Sequence, residues 1–217
     1  MGGGFFSNTL RMQIRAYQPS DRDALRAICC DTGNLGQPVD SNVFDRELFA
    51  DYWVSPYINH EPENIWVADE NGNAVGYLTA AFDTDRHHRR MRYCVMPAIL
   101  LKSLFDGRVF KHMTRDFIWT RFKLWWGKSL VAENLIEAFP AHLHINIKEG
   151  FRGRAVGKEL LEAFFAAARS AGVKGVHLET RADGKAPAFF EKNGFQKVGQ
   201  HGPSDHAVAI YGRSLKI

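Results

Sequence analysis

Residues 141–175 constrain the fold more than any other part of the chain. From Ala141 to Ile147 the residues alternate, with Leu143, Ile145 and Ile147 on one side and His142, His144 and Asn146 on the other. Period-two alternation marks a strand whose two faces meet different surroundings. Gly150 and Gly153 then punctuate a short loop. Beyond it Leu160, Leu161, Phe164, Phe165 and Ala168 recur at the spacing of one helix face, and Gly172 stands where a helix-ending glycine belongs.

The loop between strand and helix is where this segment can do chemistry. A helix N-terminus carries unpaired N–H groups and a partial positive charge. Arg152, Gly153, Arg154, Ala155, Val156, Gly157 and Lys158 lie there. Small residues let a phosphate approach the backbone, and the cations add attraction, so the loop reads as an anion cradle. It lacks the Gly-Lys-Ser/Thr of a Walker loop and the spacing of a dinucleotide fingerprint. On these residues alone, a tight turn with solvated arginines stands level with the cradle.

The segment Arg152-Gly153-Arg154-Ala155-Val156-Gly157 resembles the R/Q-x-x-G-x-G/A signature of the GNAT superfamily of N-acetyltransferases, with Ala155 where the first glycine is usual. A second stretch, Ala186-Pro187-Ala188-Phe189-Phe190-Glu191-Lys192-Asn193-Gly194-Phe195, resembles the closing N-x-x-A-x-x-L-Y-x-K-x-G-F of the same superfamily. There Asp183 replaces the Asn and Phe190 the Tyr. The two stretches come in the family's order, separated by an apolar strand at 176–179. The resemblance implies an α/β (α+β) fold with a central mixed, mostly antiparallel sheet of about seven strands flanked by helices. It implies acetyl-CoA along Ile145 and Ile147, over the loop from Arg152 to Lys158, and beside Asp183 and Phe190. A narrower group is also similar: bacterial acetyltransferases akin to the acetyltransferase-like domain of some O-GlcNAcases. Asp31-Thr32-Gly33, Ala81-Phe82-Asp83-Thr84 and Pro140-Ala141-His142-Leu143-His144-Ile145-Asn146 carry that likeness.

The chain has 217 residues, of which 45% are hydrophobic, enough for one sizeable core. Residues 12–217 read as a single acetyltransferase domain, and residues 1–11 as a tag remnant, a disordered N-terminus or a mis-assigned start. Cys29, Cys30 and Cys94 have no metal or redox spacing. Core thiols in a reducing cytoplasm are expected, with no metal and no membrane span. A first strand is expected at 12–17, then a helix capped by Ser20 and running through 24–30, and a second helix at 43–52. Asn71-Gly72 predicts a tight hairpin between strands at 64–69 and 74–82. Asp31, Thr32 and Asp83 are candidate acceptor contacts, although a strand-end Asp more often caps a turn. Strands at 195–200 and 207–212, joined through Gly202-Pro203-Ser204-Asp205, should close the sheet.

Residues 86–139 exceed the usual link between third and fourth strands and read as a helical basic/aromatic insert. Residues 86–128 hold eleven Lys/Arg against two acids, while the rest of the chain holds 17 basic and 22 acidic residues. Such a patch suits an anionic surface or nucleic acid. The helical spacing of Phe117, Trp119, Phe122 and Trp126 instead favours a lid packed on the core or on a second copy in a homodimer, and disfavours nucleic acid.

The resemblance implies direct attack of a primary amine on the thioester of acetyl-CoA, with the acceptor unidentified. Such a reaction needs a positioned cofactor, N–H groups near Ile145 for the developing oxyanion, and a base. His144, His142 and Glu179 are the candidate bases, each with a plain structural role standing equally open. Phe190 has no proton to give a leaving thiolate, and Tyr211 is an alternative donor. Two other readings stay open: a non-catalytic acyl-CoA sensor or scaffold, and a nucleic-acid-binding module using the insert.

Overall fold

The computed structural model describes residues 12–40, 45–110, 112–126, 131–202 and 207–215. Among them, seven strands form one sheet in the order β1-β2-β3-β4-β5-β7-β6. These are β1 (Met12–Ala16), β2 (Ile65–Glu70), β3 (Asn73–Ala81), β4 (Ala141–Ile147), β5 (Gly175–Arg181), β6 (Gln196–His201) and β7 (Val208–Ser214). Every pairing is antiparallel except β4 with β5. That parallel contact is brief: Ala141 faces Val176 and His142 faces His177, and beyond them the strands part.

The two-faced pattern of β4 sorts the helices. Helix α8 (Val156–Ser170) lays Leu160, Leu161, Phe164, Phe165 and Ala168 on the face that carries Leu143. Burying each of these leucine and phenylalanine side chains contributes about 1.5–3 kcal/mol. The helix ends in a Schellman motif. Gly172 sits at φ +71°, its N–H reaches Arg169 O at 2.9 Å, and Val173 N–H reaches Ala168 O at 2.9 Å. Helix α9 (Ala186–Lys192) joins this side, with Phe190 buried against Phe189 and Phe195.

On the opposite face lie α1 (Arg22–Thr32), α2 (Arg46–Trp53) and α3 (Ser55–His60), which cover Tyr77, Val67 and Ala81. The Ser20 cap is replaced. A 3-10 turn, Pro19–Asp21, precedes α1, and Asp21 accepts the Gln18 N–H at 2.8 Å. Arg15 pairs with Asp21 and with Asp69, so the carboxylate that could cap is also buried beside a guanidinium. Helix α2 runs Arg46–Trp53, with Asp45 capping it by accepting Leu48 N–H at 3.1 Å; positions 43 and 44 of the expected helix lie outside the described residues. The Asn71-Gly72 hairpin forms as expected, with φ of +55° and +84° at its two turn residues.

The insert is helical. It holds α4 (Thr84–Arg90), a π turn at Met91–Val95, α5 (Met96–Phe105), α6 (His112–Trp126) and α7 (Glu133–Ala138). The π turn falls just before Pro97, which has no N–H to continue the regular ladder. Met91, Met96, Ile99 and Ile118 pack on Leu48 and Tyr52 of α2, so the insert is an outer layer on the α1–α3 side. The aromatic stripe is corrected in part. Phe117 packs edge-on against Tyr52 at 5.5 Å, but Trp119 is 56% exposed because Ile118 takes the inward position. The side chains of Phe122 and Trp126, the turn at 203–205 and residues 1–11 lie outside the described residues.

Candidate active site

Two features meet where β4 and β5 separate. The first is backbone. Lys148 N–H bonds to Val75 O of the neighbouring strand at 3.0 Å. Alternation along β4 therefore turns the peptide groups of Ile145 and Ile147 toward the β5 side. Both lie beyond the last β4–β5 pair, so their N–H groups face an open wedge. The second is the start of α8. Ala155 is its N-cap and has no polar side chain to cap it, so among the described residues no side-chain acceptor caps the first-turn N–H groups. Ala155 holds φ +64° and Gly153 φ +76°. A non-glycine residue in that region costs about 1–2 kcal/mol, and such strain gathers where a loop must present its backbone to a ligand.

The loop cations divide by role. Arg152 is committed to the protein: Nε donates to Ile147 O at 2.8 Å and a terminal nitrogen donates to Gly36 O at 2.6 Å. It ties the cradle to the loop after α1. Arg154 lies over the Phe151 ring at 5.2 Å. Lys158 reaches Glu162 at 3.5 Å, one turn on. Both have mostly exposed side chains at the helix start. Gly157 has a packing reason for its size, since a Cβ there would lie 2.9 Å from Phe189 and 3.3 Å from Ile147. Asp183 pairs with Arg181 at 2.7 Å in the turn after β5. Phe190 sits in the apolar core, 5% exposed.

The polar face of β4 looks the other way, at α1–α3. His142 is fully engaged: Nε2 lies 2.7 Å from Tyr57 Oη and Nδ1 2.8 Å from Thr84 Oγ1. Burial, with His87, His177, His144 and His88 nearby, holds its imidazole well below the usual histidine range. His144 shares the face and differs in bonding. Its ring meets Trp53 edge-on at 5.7 Å and Tyr57 at 5.9 Å, and it hydrogen-bonds to no described residue. Burial pushes it down to about 4, so it is neutral near pH 7. Asn146, the third residue of the face, donates to Thr32 Oγ1 at 2.6 Å, and Thr32 in turn donates to Ile28 O at 2.7 Å.

The remaining predicted residues are dispersed. Glu179 faces His201 at 2.7 Å on the far side of β5. Asp31 pairs with Arg46 at 2.7 Å. Asp83 takes the capping role at α4, accepting Arg86 N–H at 2.8 Å. Tyr211 donates to Glu191 at 2.9 Å. Sequence reasoning missed Trp53, Tyr57 and Thr79, which come from α2, α3 and β3 to surround His144. Trp53 and Tyr57 lie just past the helix expected at 43–52, and nothing local ties them to a strand some ninety residues on. Among the described residues, no group of three or more His, Cys, Asp or Glu is arranged to hold a metal ion, and no helix is long and apolar enough to cross a membrane.

Comparison with known proteins bears on this geometry. Residues 126–197 match the model of the acetyltransferase (GNAT) domain. That stretch takes in β4, the cradle, α8, β5 and α9. The solved structure of SsHAT superposes with a TM-score of 0.76 at 29% identity, covering 95% of this chain and 99% of that one. An N-acetyltransferase from Staphylococcus aureus gives 0.55 at 15% identity over 95% and 99%. An acetyltransferase from Salmonella typhimurium, solved with its cofactor acetyl-CoA, gives 0.55 at 13% over 94% of each chain.

Proposed function

The chain belongs to the GNAT superfamily of acetyl-CoA-dependent acyltransferases, and from that premise we propose that it moves an acetyl group from acetyl-CoA to a primary amine by direct attack. The observation that carries this reading is the wedge between β4 and β5 beside the uncapped start of α8. The N–H groups at 156–158, with Arg154 and Lys158, suit the diphosphate of the coenzyme. The N–H groups of Ile145 and Ile147 suit its acyl arm and the oxygen of its carbonyl. Arg152, spent on Ile147 O and Gly36 O, acts by holding the loop in shape.

In the reaction the amine nitrogen forms a bond to the thioester carbon and the carbonyl oxygen takes the displaced electron pair. An N–H donor aimed at that oxygen lowers the barrier. The C–S bond then breaks, coenzyme A leaves as thiolate, and the former amine gives up a proton. His144 is the group we assign to take that proton, because its ring is neutral and has no hydrogen bond within the described protein. Neither of its ring nitrogens bonds to a described residue, whereas those of His142 are both used. The thiolate takes its proton from water, since Phe190 is apolar and Tyr211 donates to Glu191. We place the reaction in the cytoplasm, where unpaired Cys29, Cys30 and Cys94 stay reduced.

Phe190 favours one other reading, a sensor that binds acyl-CoA without turnover. Calorimetry with acetyl-CoA and a thioester-consumption assay with an amine panel separate the two. Binding with turnover is the expected result. Binding without turnover selects the sensor, and no binding at millimolar acetyl-CoA overturns both.

A further inference from the structure

Three buried side-chain atoms among the described residues have no hydrogen-bond partner: Trp53 Nε1, Thr79 Oγ1 and Arg121 Nε. They come from α2, β3 and α6: Arg121 lies over the Trp53 indole, and Thr79 pairs across the sheet with His144, which meets the same indole. The Arg121 guanidinium carbon lies 5.3 Å from the Trp53 ring centroid, 5.1 Å from that of Tyr52 and 5.4 Å from that of Phe117. The same indole meets His144 at 5.7 Å. Thr79 stands opposite His144 in the β3–β4 register, so their side chains share the face toward the helices. Buried polar atoms nearly always find partners, and leaving one unpaired is destabilising. Linking these atoms through Trp53 and His144, an imidazole that bonds to no described residue, points to a ligand that completes them.

The chemistry of the unpaired groups is polarised. Trp53 Nε1 and Arg121 Nε can only donate, and Arg121 carries fixed charge. A neutral His144 accepts, and Thr79 can do either. The surrounding cations already have counter-ions: Arg26 pairs with Glu47 and Asp51, Lys102 with Asp51, and Arg108 with Asp45. Arg121 has no carboxylate within salt-bridge reach among the described residues. Its faces are taken by rings, while its buried Nε has no partner among the described residues.

We infer that this is the acceptor subsite and that the acceptor is a small amino acid, its amine toward His144 and Thr79 and its free carboxylate toward Trp53 Nε1 and Arg121. The inference rests on the acetyl-transfer reading and specifies its substrate class. It also gives the insert a task, since Arg121 reaches the site from α6. A neutral amine would leave both donors unsatisfied, which is the situation that gives strong discrimination between analogues.

The test keeps the two readings apart. Coenzyme A is titrated first, into the wild type, Trp53→Phe and Arg121→Met. Then, with coenzyme A bound, N-acetyl-L-alanine, N-acetyl-L-phenylalanine, their amides and the decarboxylated counterparts N-acetylethylamine and N-acetylphenethylamine are titrated by calorimetry. The inference expects each carboxylate compound to bind at least tenfold tighter than its amide and its decarboxylated counterpart. Trp53→Phe keeps the ring and removes the donor, and Arg121→Met keeps the stem and removes the charge. Each should bring the ratio toward one and leave coenzyme A affinity unchanged, with thermal melts confirming that the variants fold. Equal affinity across the series, preference for the amides, or a ratio surviving both substitutions overturns the acceptor assignment alone. Failure of the wild type to bind coenzyme A sinks the cofactor cradle, and the acceptor assignment with it.

Discussion

The two ends of the histidine face of β4 hold the same residue type in opposite states. At the Thr84 end, His142 has a partner on each ring nitrogen, from α3 and from the start of the insert, and it closes a seam between core and insert. At the Trp53 end, His144 has neighbours on all sides and a hydrogen bond to none of the described ones. Burial depresses both imidazoles, so charge does not separate them. Bonding does. A buried histidine whose nitrogens are both used stabilises the fold, whereas one that keeps a lone pair free can take a proton from a substrate.

The largest expected effects test that contrast directly. His144→Ala should lower the rate of acetyl transfer by roughly 100-fold or more, the range of a general base, with little change in the denaturation midpoint. His142→Ala should do the reverse. It leaves Tyr57 Oη and Thr84 Oγ1 buried without their partner, at about 1–3 kcal/mol each, which urea melts would register. Similar rate and stability losses in both variants would erase the distinction.

Acid sharpens it. In the folded state His88 and His144 lie at about 4, and burial holds His142 well below the 6.5 of an ordinary histidine. The unfolded chain therefore takes up protons first as pH falls. The stability these groups support is intact above pH 6.5 and drains away as pH drops toward 4, by up to about 1.4 kcal/mol per pH unit for each histidine. Melts of the wild type between pH 7 and 4.5 should show that slope, and His144→Ala should reduce it by about one proton's worth. A flat profile would mean the rings are not held neutral.

A smaller effect is expected at the cradle. Ala155→Gly removes the Cβ from a backbone held at φ +64° and should stabilise the protein by up to about 1 kcal/mol in a thermal melt. Lys158→Ala, at an exposed side chain, should weaken acetyl-CoA binding only severalfold, and mainly at low salt. The smallest lies on the insert. Trp119→Ser, at a half-exposed side chain, should change stability by less than about 0.5 kcal/mol.

The strand at 141–147, the stripe of α8, the Gly172 cap and the Asn71-Gly72 turn were all readable because each depends on neighbours within a few residues. Ser20 was a reasonable cap by type, but the buried pair of Arg15 and Asp21 recruited the acid instead. Arg152 carries charge in the right loop, and only the position of Gly36, brought there by α1, shows that its charge is used inside the protein. The spacing of Phe117 and Trp119 suggested one packed stripe, yet helix rotation on α2 sends Trp119 outward.

The residue pattern by itself determined that a two-faced strand runs into a small-residue loop and an amphipathic helix, and that His142 and His144 share one side. Those features follow from backbone periodicity, steric size and capping, which act over a turn or two of chain. Which histidine is spent and which stays available was decided only in the folded molecule. Tyr57, Thr84, Trp53, Thr79 and Arg121 come from five different elements, and hydrogen-bond satisfaction depends on where those elements stop against one another.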